Sequence, residues 1–83
     1  MRMVYFAWVR ERIGKDAEEL DIPEHVHNVR ELLSWMKTLG ENYEAALAHA
    51  DSIRVALDME HVHHSEKLGT PVEIALFPPM TGG

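Results

Sequence analysis

The sequence predicts an α+β protein in which a mixed β-sheet packs against one main helix. Segments with strand-like patterns lie at both ends of the chain, and one strong helical stripe lies between them. The 83 residues are 46% hydrophobic and 27% charged, which suits one small core and leaves no room for a second domain. A helix between two pairs of strands can bury its apolar stripe on one face of a sheet.

The N-terminal segment predicts two strands. Residues 1–9 are apolar at both odd and even positions, which is typical of a central strand with both faces partly covered. Residues 10–16 are charged, contain Gly14 and are predicted to form a turn. Residues 17–22 alternate weakly and stop at Pro23, so we expect an edge strand there.

The strongest helical signal lies in the middle of the chain. Its apolar residues recur every three or four positions and define one helical stripe: Val29, Leu32, Leu33, Met36 and Leu39. Asn28 is the predicted N-cap, Glu31 occupies the capping-box position, and Gly40 suits the C-terminal stop. A shorter helix is predicted over residues 43–50 with Asn42 as its cap.

The C-terminal part predicts three more strands. Residues 53–57 and 72–76 alternate between apolar and other side chains, and residues 61–63 form a short candidate strand between them. The last strand ends at Pro78 and Pro79, because proline cannot donate to a sheet ladder. This order of elements is typical of a roll of the β-grasp kind. If its first and last strands are parallel neighbours, the C-terminus leaves the domain at one edge.

The composition excludes several classes of function. The chain has no cysteine, which rules out disulfides, thiolate zinc sites and a cysteine nucleophile. Its net charge of −6 disfavours nucleic acid and anionic membranes as partners, and it favours a partner with a basic face. The longest apolar run, residues 4–9, is far shorter than the roughly 20 residues of a membrane-spanning helix. We therefore expect a cytoplasmic protein.

The last six residues suggest a reactive terminus. Pro78 and Pro79 stiffen the chain into an extended conformation, and Gly82 and Gly83 follow without side chains. A Gly-Gly carboxylate can enter a narrow channel, since nothing at Cβ hinders it. A frayed terminus is the alternative, but the preceding strand and double proline favour the functional interpretation. We expect a domain over residues 1–77 and an extended tail over residues 78–83.

Other polar residues give weaker signals. His61 and His63 would point the same way on a strand, with His64 next to them, and such spacing can hold a transition metal. Solvated histidines are the favoured interpretation, so we expect no metal site. The chain contains neither a GxSxG nucleophile motif nor a glycine-rich phosphate loop. A solvated edge is the favoured interpretation of four acidic residues: Glu18, Glu19, Asp21 and Glu24.

The aromatic side chains are candidates for the core or for a docking surface. Core packing is the first interpretation of the four largest apolar rings: Phe6, Trp8, Trp35 and Phe77. One face of a small sheet with a single helix stays uncovered, however, so some of these rings can be exposed. An exposed aromatic patch on a small domain marks a docking surface.

Three stretches resemble the MoaD/ThiS family of sulfur carriers, and within it the small subunit of molybdopterin synthase. They are residues 4–11 (VYFAWVRE) followed by Ile13-Gly14, residues 55–58 (VALD), and residues 72–83, whose ending Phe-Pro-Pro-x-x-Gly-Gly is fairly specific. The chain departs from the family pattern at Asp58, where Asn is common, and at residues 69–71, where an acidic turn with glycine is common. It also has His61 where an apolar residue often lies on the partner-facing surface.

The resemblance implies a β-grasp, ubiquitin-like fold and a covalent carrier mechanism. An E1-like adenylyltransferase of the MoeB type would use ATP to adenylate Gly83, and a persulfide sulfur would replace AMP to leave a thiocarboxylate. The tail would then enter the large subunit of molybdopterin synthase, within a heterotetramer. There it would donate sulfur to a cyclic pyranopterin phosphate and form the dithiolene. The carrier would not be catalytic on its own and would hold no permanent cofactor.

The resemblance also implies roles for individual residues. Gly83 would carry the reactive carboxylate and Gly82 would permit close approach. The inserted arm would consist of Pro78, Pro79, Met80 and Thr81. Partner contacts would come from Phe6, Phe77, His61 and Arg10. Core packing is the alternative for the two phenylalanines. For Arg10 the alternative is a turn salt bridge with Glu11, worth about 0–1 kcal/mol.

Three other functions remain open from the sequence. A carrier for thiamine or tRNA thiolation would share the tail and the adenylation step. A ubiquitin-like modifier would use the same carboxylate to form an isopeptide bond with a lysine. A plain binding module would tolerate residues added after Gly83, whereas the carrier and modifier functions would not.

Overall fold

The computed structural model describes residues 1–79, which form a five-stranded sheet with three α-helices. The strands are β1 Arg2–Tyr5, β2 Ala17–Glu19, β3 Arg54–Leu57, β4 Glu60–Val62 and β5 Glu73–Phe77. The helices are α1 Ala7–Ile13, α2 Val29–Met36 and α3 Glu41–Ala46, with 3₁₀ turns at Lys37–Leu39 and Ala50–Ser52. None of the helices in this part of the chain has the length and apolar character needed to cross a membrane.

The sheet is mixed, with strand order β2-β1-β5-β3-β4. β1 and β5 are parallel, with Tyr5 opposite Leu76, whereas the other neighbouring strands are antiparallel. The predicted α+β fold of the β-grasp, ubiquitin-like kind is therefore confirmed. The parallel pair has a functional consequence, because it places the end of β5 beside the end of β1.

Helix α2 supplies the centre of the core, as most of its predicted stripe indicates. Leu39 is the exception, because α2 ends at Met36 and Leu39 lies in the following 3₁₀ turn, where it is 38% exposed. Val29, Leu32, Leu33 and Met36 are each at most 1% exposed. Burying side chains of this size contributes about 1.5–3 kcal/mol each. The cap is also confirmed, since Asn28 Oδ1 accepts a hydrogen bond from the backbone N–H of Glu31 at 2.8 Å.

The register of the sheet separates two faces. Side chains alternate along a strand, so Tyr5, Leu76 and Val55 share the face that packs on the helices. The opposite face carries the residues next to them in sequence, among them Phe77 and its cross-strand partner Arg54.

The first strand is shorter than the apolar pattern predicts, because residues 7–13 form helix α1. Val9 and Ile13 pack into the core and are 0% and 3% exposed. Their spacing of four residues is typical of a helix, but the charged residues between them obscure this pattern in the sequence. Gly14 ends the helix in the left-handed conformation (φ 89°), and its N–H donates to the carbonyl of Arg10 at 2.8 Å. The prediction of a turn over residues 10–16 is therefore wrong up to Ile13.

Several other boundaries differ from the sequence pattern, among them the end of α3, which lies at Ala46 and not at residue 50. β2 ends at Glu19, although Leu20 and Ile22 still pack against the core. Helix α3 begins at Glu41 with Gly40, not Asn42, as its N-cap residue. The side chain of Asn42 instead donates from Nδ2 to the carbonyl of Ile13 at 2.8 Å, which ties α3 to the end of α1.

Candidate partner-binding site

Three rings form an aromatic cluster at the end of the parallel strand pair. The rings of Phe6 and Phe77 are stacked, with centroids 4.6 Å apart and planes at 2°. The ring of His61 is tilted against Phe77 at 5.3 Å. We call Phe6, Phe77 and His61 the aromatic cluster. A pair of stacked rings contributes about 0.5–1.5 kcal/mol beyond the area it buries.

The sheet topology brings these three residues together from distant parts of the sequence. Phe6 follows β1 directly, and its N–H donates to the carbonyl of Leu76 at 3.1 Å, so it lies beside the end of β5. Phe77 is the last residue of β5. His61 reaches the same face through the register of β4 on β3 and of β3 on β5.

The cluster is accessible to a partner. Phe6 is 38% exposed, and Phe77, Pro78 and Pro79 are half-buried in a row that leads out of the sheet. Core packing, the alternative interpretation of Phe6, is therefore wrong, because its side chain is exposed. An exposed apolar surface of this kind, continuous with the start of the tail, has the character of a docking surface.

A groove of about 880 Å³ adjoins the aromatic cluster and shares His61 with it. Its polar lining includes Arg30, Arg54 and His63, with Asp51 as its acidic residue, and Pro79 lies at its margin. Sequence reasoning did not single out Arg30 or Arg54. The alternation of Arg54 with Val55 on β3 indicates its face, but only the strand order shows that Phe77 is its neighbour.

Arg10 lies apart from the ring stack by one helical turn. Its backbone N–H donates to the carbonyl of Phe6 at 3.3 Å, and its Nε is 3.8 Å from Asp16 Oδ1. The sequence suggested a salt bridge between Arg10 and Glu11, but the structure pairs Arg10 with Asp16. The pair is solvent-exposed and contributes about 0–1 kcal/mol.

The histidines do not form a metal centre in the described part of the chain. Within residues 1–79, no group of three or more histidine, cysteine or acidic side chains is placed to hold a metal ion. His64 Nε2 lies 2.6 Å from the carbonyl oxygen of Ile53, a contact in which the ring nitrogen donates. His64 thus joins the segment after β4 to the segment before β3.

Glu18 has a structural role that its place in an acidic run concealed. Its carboxylate accepts hydrogen bonds from the hydroxyls of Tyr5 at 2.6 Å and Tyr43 at 2.7 Å, and from Lys15 Nζ at 2.9 Å. We call these four residues the Glu18 network. The interpretation of Glu18 as part of a solvated edge is wrong, because its side chain is only 12% exposed.

The pKa values in the Glu18 network shift in the directions that this geometry demands. Burial by itself raises the pKa of Glu18, but the hydrogen bonds from the tyrosines and Lys15 outweigh it, so the net pKa lies below its usual value. Burial and the neighbouring carboxylate raise the pKa of Tyr5 far above its usual range, and they raise the pKa of Tyr43 in the same direction. The hydrogen bonds to Glu18 and Tyr43 raise the pKa of Lys15.

The tail is described only at its beginning. Pro78 and Pro79 follow β5 as predicted. The predictions for Met80, Thr81, Gly82 and Gly83 lie outside the described residues. The site residues that the structure brings together are therefore Phe6, Phe77, His61 and the two prolines.

Comparisons with known proteins agree with this architecture. The ThiS family model matches residues 3–83. A protein from Pyrococcus furiosus assigned as molybdopterin converting factor subunit 1 is 25% identical, with a TM-score of 0.71 and 95% of each chain covered. The crystal structure of SAMP1 from Haloferax volcanii is also 25% identical, with a TM-score of 0.71, and the match covers 100% of this chain and 98% of that one.

A second crystal structure, of small archaeal modifier protein 1 from Haloferax volcanii, supports the fold. It is 24% identical, with a TM-score of 0.70 and coverage of 96% of this chain and 97% of that one. No curated protein matches the chain. Because the family match extends over nearly every residue, the chain belongs to the ThiS family, as a ubiquitin-like sulfur carrier of the MoaD/ThiS type.

Proposed function

We propose that this carrier supplies sulfur for molybdenum cofactor biosynthesis as the small subunit of molybdopterin synthase. The observation that supports this most is the aromatic cluster at the root of the tail. Phe6 and Phe77 present a stacked, partly exposed apolar pair where Pro78 leaves the sheet. A partner that binds this pair is next to the start of the C-terminal tail. Binding of the aromatic cluster and delivery of Gly83 to the partner would therefore occur together.

The chemistry resides in the terminal carboxylate. A carboxylate is a poor electrophile, so the adenylating partner transfers AMP from ATP to Gly83 and releases pyrophosphate. The terminal sulfur of a persulfide then attacks the acyl carbon, and AMP leaves with its electron pair. A thiol reduces the resulting acyl disulfide and releases the thiocarboxylate. This sequence replaces one difficult substitution with easier ones.

The proposed partners divide the remaining work. The E1-like adenylyltransferase, of the MoeB type, binds ATP, so the carrier needs no permanent cofactor. The large synthase subunit binds the cyclic pyranopterin phosphate and provides the cationic groups that stabilise charge during sulfur transfer. A dithiolene contains two sulfurs, so two carriers are consumed for each product, which suits a heterotetramer. All these partners are cytoplasmic in the proposed pathway.

Intact-mass spectrometry tests the carrier step. The protein is incubated with an E1-like adenylating enzyme, ATP and a persulfide source. We expect a mass increase equal to the exchange of one oxygen for one sulfur. Deletion of Gly83, and addition of one alanine after it, should each abolish the increase while leaving the circular dichroism spectrum unchanged. An unchanged mass, with a known carrier active in the same mixture, would refute the proposal.

A second experiment tests the pathway. The sulfur-loaded carrier is mixed with the large synthase subunit and the pyranopterin precursor, and dithiolene product is measured. In parallel, the loaded carrier is offered to a thiazole synthase and to a tRNA-thiolating enzyme. Product in the synthase assay and in neither of the other two supports the proposed pathway. Product only with the thiazole synthase or only with the tRNA-thiolating enzyme assigns the carrier to thiamine synthesis or to tRNA thiolation, respectively.

The likeness to SAMP1 favours protein modification as a second candidate function. That structure matches the whole of this chain as closely as the molybdopterin converting factor subunit does. A modifier would form isopeptide adducts from Gly83, and these would survive denaturing electrophoresis and reducing agent. Adducts that depend on Gly83 and on the adenylating enzyme would establish this function beside the carrier function.

A further inference from the structure

The charge of this chain is unevenly distributed. The net charge is −6, yet the groove beside the aromatic cluster is lined by two arginines and by only one acidic residue, Asp51. His61, His63 and His64 also line the groove. The groove is therefore a basic surface on an acidic protein. The groove attracts negative charge, whereas the rest of the protein surface repels it. This contrast orients an acidic partner before contact.

The two arginines are available to a partner. Arg30 and Arg54 are exposed, and within residues 1–79 neither takes part in an ion pair. Lys15, Arg2 and Arg10 each have an acidic partner within the chain, so their charge is already compensated. Uncompensated arginine suits recognition of carboxylates, because its planar fork can bind both oxygens.

Hydrogen bonds within the chain hold the walls of the groove in place. The backbone N–H of Arg30 donates to the carbonyl of His64 at 2.9 Å, which joins the start of α2 to the segment after β4. The ring of His64 in turn contacts the carbonyl of Ile53 at 2.6 Å, next to Arg54. Binding to a surface organised in this way costs little ordering of the backbone.

The backbone around the groove favours carboxylates over a phosphate. A phosphate site at a helix start uses unpaired N–H groups. Here the first three N–H groups of α2 already donate within the chain, from Val29 to the carbonyl of Glu66, from Arg30 to His64, and from Glu31 to Asn28 Oδ1. The groove thus offers side-chain cations without free amides.

We propose that the groove binds an acidic polypeptide segment of the protein partner that engages the aromatic cluster. His61 belongs to both surfaces and Pro79 lies at the margin of the groove, so one partner can cover the rings, the groove and the root of the tail together. The groove accelerates association and sets the orientation, whereas the rings supply the apolar contact. Only the choice of the adenylating enzyme as that partner rests on the proposed function.

Nuclear magnetic resonance tests the groove without any enzyme. The ¹⁵N-labelled protein is titrated with a synthetic polyglutamate peptide, and separately with ATP and with inorganic phosphate. We expect the peptide to shift the amide signals of residues that line the groove, and to bind about tenfold more weakly to the double variant Arg30→Glu/Arg54→Glu. Lys67→Glu, which makes half of that charge change at an exposed lysine outside this groove, should weaken binding less than twofold.

Stopped-flow association with the adenylating enzyme tests the same groove in the complex. Arg30→Glu/Arg54→Glu should lower the association rate about tenfold at low salt and flatten its dependence on salt, while Lys67→Glu should not. Stronger binding of ATP or phosphate than of the peptide would overturn the proposal in favour of a phosphate site. Equal losses in Lys67→Glu would overturn it in favour of a general charge effect. Peptide binding in the groove together with failed adenylation of Gly83 would refute the proposed function and leave this inference intact.

Discussion

Tyr5 and Phe6 are neighbours in the chain but belong to clusters with opposite roles. Tyr5 is 1% exposed and donates its hydroxyl to Glu18 inside the Glu18 network. Phe6 is 38% exposed and stacks on Phe77 in the aromatic cluster. Both are large aromatic residues within one apolar run. Their difference teaches that the face of the sheet, and not the residue type, decides whether a ring stabilises the fold or serves recognition.

Two local features separate the neighbours. β1 ends at Tyr5, and Phe6 is the N-cap residue of α1, still with extended backbone (φ −125°, ψ 152°). Ala7 then adopts a left-handed φ of 52°, which turns the chain into the helix. This turn lets Val9 and Ile13 re-enter the core while Phe6 stays beside Phe77.

The largest effect should come from removing the buried member of the pair. Tyr5→Ala is expected to lower the free energy of unfolding by about 3–5 kcal/mol, because it leaves a cavity and removes one of the three hydrogen bonds that the Glu18 carboxylate accepts. Urea denaturation followed by circular dichroism measures the loss. Phe6→Ala is the matched control and should lose less, about 1–2 kcal/mol, since its ring is 38% exposed and loses mainly its stacking on Phe77. Equal losses in the two variants would show that the two clusters do not differ in this way.

The next effect concerns partner binding, for which Phe6 should matter more than Tyr5. Phe6→Ala should weaken binding of the large synthase subunit, or of the adenylating enzyme, by about 2 kcal/mol, because a partner would lose its apolar contact at the stacked pair. Isothermal titration calorimetry measures the change. Tyr5→Phe keeps the buried ring and removes only its hydroxyl, so its partner affinity should equal that of the wild type. Unchanged affinity in Phe6→Ala would remove the aromatic cluster from the interface.

A smaller effect should follow from neutralising the acceptor in the Glu18 network. Glu18→Gln is expected to lower the free energy of unfolding by about 1–2 kcal/mol near neutral pH, since hydrogen bonds to a charged acceptor become bonds to a neutral one. The folded pKa of Glu18 is lowered, so this stabilisation is present above about pH 4.5 and disappears as the pH falls through the folded pKa. The variant and the wild type should therefore converge in acid.

The tyrosines of the Glu18 network determine how stability depends on pH in the alkaline range. The folded pKa values of Tyr5 and Tyr43 are raised, so their contribution is present below about pH 10 and is lost as the pH rises above it. Thermal denaturation between pH 2 and pH 11 measures the loss of stability in acid and in alkali. A constant difference between Glu18→Gln and the wild type across this range would contradict the role assigned to the network.

The smallest effect concerns the turn between the two clusters. Ala7→Gly should raise the free energy of unfolding slightly, by less than about 1 kcal/mol, because glycine adopts the positive φ at Ala7 without strain and this gain exceeds its entropic cost. Ala45→Gly is the control on the exposed surface of α3, where glycine should destabilise by about 0.5–1 kcal/mol. A loss of stability in both variants would show that the backbone at residue 7 is not strained.

The fold was predictable wherever a local pattern matched the final environment. The stripe of α2 and its Asn28 cap were predictable, because the helix period and the cap chemistry are encoded within a few residues. Helix α1 was not, because its two buried residues are separated by charged ones and its start depends on a backbone conformation that alanine rarely adopts. Apolar residues at both parities are compatible with a strand and with a strand followed by a helix.

The candidate site was predictable in part. The resemblance to the sulfur-carrier family indicated Phe6, Phe77 and His61, and the structure places their rings together. Arg30 and Arg54 could not be found in this way, since they are far apart in sequence and unremarkable alone. The role of Glu18 was hidden for the same reason, because its tyrosine partners lie 13 and 25 residues away.

The sequence by itself determined the class of fold, the absence of cysteine chemistry, the net negative charge and the pattern of the C-terminal tail. These properties depend on composition and on local order, so they need no long-range contact. The tertiary structure decided which ring of the Tyr5-Phe6 pair faces outward, which carboxylate is buried, and where positive charge collects. The net charge predicted a basic partner, whereas the groove beside the aromatic cluster selects an acidic segment under our proposal. The reason is physical: charge and apolar surface act over a few ångströms in space, and only strand order and register bring residues that close.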